Sequence, residues 1–294
     1  MCVATIFVLA LAAVLGGCRG DSRTTDDAWL GESAIDPAAL AARYDKQCVA
    51  GDLEACHKLG VMYAEGTGVS PDPRRAGALF EQACNGGNMA ACYHLALALG
   101  EGIGVDRSLV RSVATYKRAC DGGYKLACRN LGLMLRDGRG VPVDLPRAEQ
   151  LLDKACRSGV PLACTNAGDL DAALAKQQPA RIKQAIAHYK QGCDAGDSTA
   201  CRQIGLLYLE GRGLSKSASA AALWLERACL PDDPVACRVL GAMLLAGTGV
   251  PRDVERGKQL LARACDAKDA EACRLLAPAN EPPGDAGSNP PDGG

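Results

Sequence analysis

The amino-acid sequence predicts an all-α fold, an α-solenoid (superhelix) of about six to seven αα-hairpin repeats of about 36 residues. Three recurrences predict it. Pairs of cysteines with seven residues between the partners occur seven times, and their first members fall at 48, 84, 120, 156, 193, 229 and 265, a period of 36 broken once by one extra residue. Four residues past each second cysteine sits Gly60, Ala96, Gly132, Gly168, Gly205, Gly241 or Ala277, never a side chain larger than methyl. Ten and twelve residues past it come Gly66/Gly68, Gly102/Gly104, Gly138/Gly140, Gly211/Gly213 and Gly247/Gly249, so five of six inter-helix loops share one turn.

Each unit reads as two helical halves. Ala91 to Leu99 is apolar enough for a buried helix, and it stops at Glu101-Gly102-Ile103-Gly104, because glycine tolerates the positive φ that ends a helix. The next helix starts near Asp or Pro, as in Ser70-Pro71-Asp72-Pro73 and Val143-Asp144-Leu145-Pro146, which are N-cap and first-turn signals. The small residue four past the second cysteine marks a place where neighbouring helices cross closely. One unit breaks the pattern. Between Cys164 and Cys193 there is no Gly-x-Gly loop and one residue is added, so the joint around Lys176 to Arg181 is expected to alter the superhelix and make a locally distinct groove.

The ends differ from the repeats. An apolar run from Val3 to Leu15 is too short for a membrane span and ends in small residues, which reads as an export signal. Leu15-Gly16-Gly17-Cys18 resembles the bacterial lipobox, which implies cleavage before Cys18 and lipidation of that cysteine; no Lys or Arg precedes Arg19, a departure from the usual charged leader. The expected organisation is therefore a lipoprotein-type signal peptide over 1–18, a polar flexible tether over 19–35, the solenoid over 36–277 and a disordered Pro/Gly-rich tail over 278–294. The Arg19-Gly20-Asp21 tripeptide, one residue from the lipid, reads as chance.

Composition narrows the partners. A formal net charge of -1 gives no electrostatic bias toward nucleic acid, and membrane contact is expected through the lipid anchor only. Aromatic residues make up 4% of the chain while alanine, leucine and glycine abound, which suits helices packed through small residues.

Ala-Cys-x-x-Leu-Gly-x-x-Tyr-x-x-Gly-x-Gly-Val, as it stands in residues 55 to 69, resembles the Sel-one-like repeat, a relative of the tetratricopeptide repeat, and the paired cysteines resemble its secreted, cysteine-rich bacterial branch. The resemblance covers residues 36 to 277. It implies stacked αα-hairpins in a right-handed superhelix, each clipped by a disulfide between adjacent helices: Cys48 with Cys56, Cys84 with Cys92, Cys120 with Cys128, Cys156 with Cys164, Cys193 with Cys201, Cys229 with Cys237 and Cys265 with Cys273. The even count agrees with export into an oxidising compartment. A thiolate metal site is the competing reading, but zinc wants four converging ligands and these pairs are wide and uniform, so no metal and no cofactor is expected.

Candidate chemistry is sparse. The Gly-x-Gly loops follow no strand and continue into no Gly-Lys-Ser or Gly-Lys-Thr, so they read as turns. His57, His94 and His188 share no unit and read as core or surface helix positions. Some members of the cysteine-rich branch are labelled β-lactam-binding proteins or β-lactamases, yet the chain contains no Ser-x-x-Lys and no paired histidines of metallohydrolase spacing, so no catalytic residue is assigned. Arg118, Lys154, Arg227 and Arg263 stand two residues before first cysteines. Arg129, Arg202, Arg238 and Arg274 recur just after second cysteines; aligned on one face they would make a basic ridge for acidic peptides or glycan carboxylates, and otherwise they are solvated helix surface. The expected function is that of an exported, lipid-anchored scaffold in a bacterial cell envelope, on the periplasmic or outer-membrane side, that binds a protein or peptide through its concave face. The alternatives are a β-lactam or peptidoglycan-fragment binding protein or hydrolase, and a passive structural spacer.

Overall fold

The computed structural model describes residues 36–230 and 233–276. The signal segment with Cys18, the tether, Ala277 and the Pro/Gly-rich tail lie outside the described residues. Among the described residues there are fourteen helices and no strand: α1 (Pro37–Val49), α2 (Leu53–Glu65), α3 (Pro73–Asn85), α4 (Met89–Glu101), α5 (Leu109–Asp121), α6 (Lys125–Asp137), α7 (Leu145–Arg157), α8 (Pro161–Leu174), α9 (Arg181–Asp194), α10 (Ser198–Glu210), α11 (Ala218–Cys229), α12 (Pro234–Ala246), α13 (Val254–Asp266) and α14 (Ala270–Leu276). None of them is long and apolar enough to cross a membrane. The chain falls into two compact units, Met1–Lys154 and Ala155–Gly294, divided inside α7. From α1 to α6 and from α8 to α14 each helix packs against its sequence neighbours, as a solenoid of hairpins requires.

The helix ends follow from local chemistry. Asp52, Asp72, Asn88, Asp197, Asp233 and Asp253 each accept a hydrogen bond at the side chain from a first-turn backbone N–H, a cap worth about 1 kcal/mol. At the other end Gly66, Gly102, Gly138, Gly211 and Gly247 close α2, α4, α6, α10 and α12 in the left-handed conformation. The second glycine of each pair has a further job. A Cβ on Gly68 would lie 2.3 Å from the Pro37 carbonyl carbon, and one on Gly104 would lie 1.8 Å from the Pro73 carbonyl oxygen. With Gly140 against Leu109 and Gly249 against Ala218, four hairpin loops thus sit on the first turn of the preceding odd-numbered helix, where only glycine leaves room for that backbone, whereas a Cβ on Gly213 would meet the Ile182 side chain.

The column of small residues also finds its cause. A Cβ on Gly60 would meet the Phe80 ring at 2.7 Å, one on Gly168 the Tyr189 ring at 2.6 Å and one on Gly205 Leu225 at 2.8 Å. The close crossing is therefore inside each hairpin, where the residue four before the first cysteine drives its side chain onto the glycine. Ala91, Ala127, Ala163, Ala200, Ala236 and Ala272, each just before a second cysteine, are fully buried, which accounts for the alanine-rich, aromatic-poor composition.

All seven cysteine pairs are joined as disulfides. The first cysteine lies in the last turn of an odd-numbered helix and the second in the first turn of the following even-numbered one, with Cα atoms 4.5 to 4.8 Å apart. Each bond closes a short loop across the turn between successive hairpins, which in the chain-entropy account stabilises by about 2.5 kcal/mol.

Candidate interaction surface

Two hollows occupy the same register on the even-numbered helices of the two units. In the N-terminal unit Leu97 and Glu101 of α4, Tyr116 of α5, Asn130 and Leu133 of α6 and the loop residue Arg139 line one of about 150 Å3. In the C-terminal unit Asp169 and Ala172 of α8, Lys176, Tyr189 of α9, Gln203 and Leu206 of α10 and Arg212 line one of about 270 Å3. Tyr116 and Tyr189 stand four before a first cysteine. Asn130 and Gln203 stand two past the next second cysteine, Leu133 and Leu206 five past it, and Arg139 and Arg212 eleven past it.

The floor of each hollow is the tyrosine held by the intra-hairpin crossing. Tyr116 Oη accepts a hydrogen bond from Asn130 Nδ2 at 3.1 Å, and Tyr189 Oη donates to Asp169 Oδ1 at 2.8 Å. Burial pushes both phenols well above their ordinary value, the Asp169 charge adding to the effect at Tyr189, so both stay protonated as donors. Arg139 and Arg212 at the rim are exposed and stand 3.8 Å from Glu101 and 3.6 Å from Glu210. Each hollow therefore combines an aliphatic wall with a fixed hydroxyl, a carboxamide and a guanidinium, groups that suit polypeptide main chain and acidic side chains.

The irregular unit supplies the wider hollow and an added polar network. Asp171 is buried at a position, seven past the second cysteine, where other units carry Tyr63, Leu99, Leu135, Tyr208 and Leu244. Its two oxygens accept from Arg181 Nη1 and His188 Nδ1, both at 2.9 Å. Lys176, from the same joint, lines the hollow.

The recurring arginines are placed differently from a free ridge. Arg202 Nη1 donates to both oxygens of Asp233, at 3.1 and 2.8 Å, and Arg238 Nε donates to Asp269 at 3.0 Å. Asp233 and Asp269 are the N-caps of α12 and α14, so these arginines fasten one hairpin to the next. Arg129 Nη1 donates to Asn130 Oδ1 at 3.1 Å, and Arg274 pairs with Glu271. The arginines two before first cysteines also bridge hairpins: Arg118, Arg227 and Arg263 donate to the carbonyls of Asn85, Cys193 and Leu230 at the end of the preceding odd-numbered helix. The signal for the first set was in the sequence, since Asp233 and Asp269 lie 31 residues past Arg202 and Arg238.

The histidines divide. His188 lies in the Asp171 network, whereas His57 of α2 and His94 of α4 are brought together, Nε2 to Nδ1 at 3.0 Å. Stacked hairpins put residues about one period apart side by side, so histidines of two different repeats meet. Phe80 stacks on His94 at 5.2 Å and Tyr93 meets it edge-on at 5.3 Å. Burial, reinforced by His57, lowers His94 to about 4, and burial also lowers His57. Among the described residues no group of three or more His, Cys, Asp or Glu converges on a metal-sized site.

This arrangement of disulfide-linked hairpins is that of a helical-repeat binding protein. The chain belongs to the Sel1 repeat family, whose model matches residues 53–88, 90–124, 125–160, 176–197, 198–230 and 234–269. No curated protein matches it. Among solved structures it is similar to c5321, a protective antigen present in uropathogenic Escherichia coli strains that displays an SLR fold, at 25% identity and a TM-score of 0.71 over 80% of this chain. It spans 50% of the length of that protein. A Sel1 repeat protein from Oxalobacter formigenes matches at 24% identity and a TM-score of 0.68, over 77% of this chain and 96% of its own. Cysteine rich protein B of Helicobacter pylori matches at 25% identity and a TM-score of 0.37, over 46% of this chain and 96% of its own.

Proposed function

We propose that this protein is an exported, lipid-anchored scaffold that binds another protein, or an extended peptide, along the even-numbered helices. One observation carries the reading: the tyrosine, carboxamide, leucine and arginine of one hollow recur in register in the other unit. The recurrence offers a partner the same set of contacts in each unit. Cys18 supplies the anchor in this reading, and the seven disulfides suit an oxidising envelope compartment. The test is photo-crosslinking in cells from a reactive residue placed at Leu133 or Leu206, with Leu223, which is 70% exposed on α11, as the control. A shared adduct from Leu133 and Leu206 that is absent from Leu223 and lost in the Arg139→Glu/Arg212→Glu variant is expected. Equal capture from all three positions would refute the assignment of this face.

A further inference from the structure

We propose that His57 and His94 form a two-imidazole binding site for a tetragonal divalent metal ion, copper(II) foremost, in the N-terminal unit. His57 Nε2 and His94 Nδ1 face each other at 3.0 Å. Two nitrogens each about 2.0 Å from one metal are about 2.8 Å apart at a right angle and about 3.3 Å apart at the tetrahedral angle. The observed 3.0 Å lies nearer the spacing of neighbouring corners of a square, the arrangement copper(II) favours and zinc(II) does not.

The surroundings support the same assignment. His57 Nδ1 is buried without a hydrogen-bond partner. It stands 4.0 Å from Glu54 Oε1, while the other Glu54 oxygen accepts from Asn88 Nδ2 at 2.8 Å. With a metal on Nε2, the His57 proton moves to Nδ1 and points at a carboxylate already held in place, the carboxylate–histidine–metal relay that raises ligand basicity. His94 correspondingly carries its proton on Nε2, giving up the hydrogen bond that Nδ1–H donates to the Ala90 carbonyl at 3.0 Å. Both imidazoles stay neutral, so neither has to lose a net proton at neutral pH. The fourteen repeat cysteines are all in disulfides, so no thiolate among them competes for the ion. No other unit carries histidine at either of these two positions, which confines the site to the α2–α4 joint.

The experiment titrates copper(II) sulfate into the oxidised full chain at neutral pH in a non-coordinating buffer, followed by electron paramagnetic resonance on chain labelled with 15N-histidine. One bound equivalent coupled to two histidine nitrogens is expected, with affinity at least about tenfold lower in His57→Gln and in His94→Gln, a smaller loss in Glu54→Gln, and no loss in His188→Gln. Zinc(II) should bind more weakly than copper(II). Unchanged affinity in the His57→Gln/His94→Gln variant would overturn the site, and tighter binding of zinc(II) would overturn its tetragonal geometry. If the variants do not fold, the labelled wild-type spectrum decides alone, since absence of the two-nitrogen coupling refutes the proposal.

Discussion

The two units lock successive hairpins at the same register with opposite chemistry. In the N-terminal unit two of the three residues just past second cysteines are rings: His57 reaches His94, and Tyr93 lies tilted against Tyr124 with centroids 5.0 Å apart, while Arg129 bonds its neighbour Asn130. In the C-terminal unit it is Thr165, Arg202 or Arg238, and each bonds the aspartate that caps the next even-numbered helix, Asp197, Asp233 or Asp269. The backbone geometry is shared, so the repeat specifies where a lock sits and leaves its kind open. Ring pairs are worth about 0.5–1.5 kcal/mol beyond the area they bury, whereas a partly buried charged hydrogen bond is worth about 1.5–3 kcal/mol and leaves a costly orphan when broken.

The difference can be broken most strongly with acid. Because the folded value of His94 is about 4 and its ordinary value is 6.5, the unfolded metal-free chain takes up this proton first. Stability is therefore full above 6.5, falls as pH drops from 6.5 toward 4, and is lower by about 3 kcal/mol below that. Hydrogen exchange with a chelator present should show α2 and α4 loosening in this window. The C-terminal lock should persist: burial of Asp269 is outweighed by hydrogen bonds from the Ala272 amide and Arg238, which hold its carboxyl below the usual aspartate value, so that contribution is lost only at lower pH. Next in size, replacing Cys193 and Cys201 together by alanine should cost about 2.5 kcal/mol, read as a lower midpoint for protection of α9 and α10. Arg202→Met should cost about 2 kcal/mol at the Asp233 joint, against about 1 kcal/mol for Tyr93→Leu in the other unit, both measured by urea titration. The smallest effect is a gain. Lys268 has φ 71 where five other turns between paired cysteines place glycine, and Lys268→Gly should stabilise by about 1 kcal/mol, read as a raised midpoint for α14.

Periodicity made most of the fold legible. Seven internal copies exposed the cysteine spacing, the glycine pairs and the small-residue column without any other sequence, since each constraint is set by backbone contacts every hairpin repeats. The site was less legible. His57 and His94 read as unrelated because they lie in different units, yet they differ by one period plus one residue, which stacked helices turn into adjacency. Arg202 and Arg238 carried the signal of a basic face, and their pairing depended on aspartates that cap the first helix of the next hairpin. Asp171 stood out in a column of Tyr and Leu, but that column could not reveal that Arg181 and His188, 10 and 17 residues on, supply its two donors.

The glycine loops that rest on the first turn of the preceding odd-numbered helix make the repeat a ruler for heredity. A stray residue inserted between Gly66 and Gly68 would drive side-chain atoms into the Pro37 backbone, so the gene can lengthen there only by whole copies of the motif. The single extra residue in this chain falls where neither glycine is present: α8 and α9 have 14 residues each where α4 and α5 have 13, and the loop between them, residues 175–180, is shorter than its counterpart, residues 102–108. That joint is the one place in the repeat array where the reading frame of structure, as distinct from that of codons, has been free to slip, and it is also where Lys176, Arg181 and Asp171 depart from the pattern.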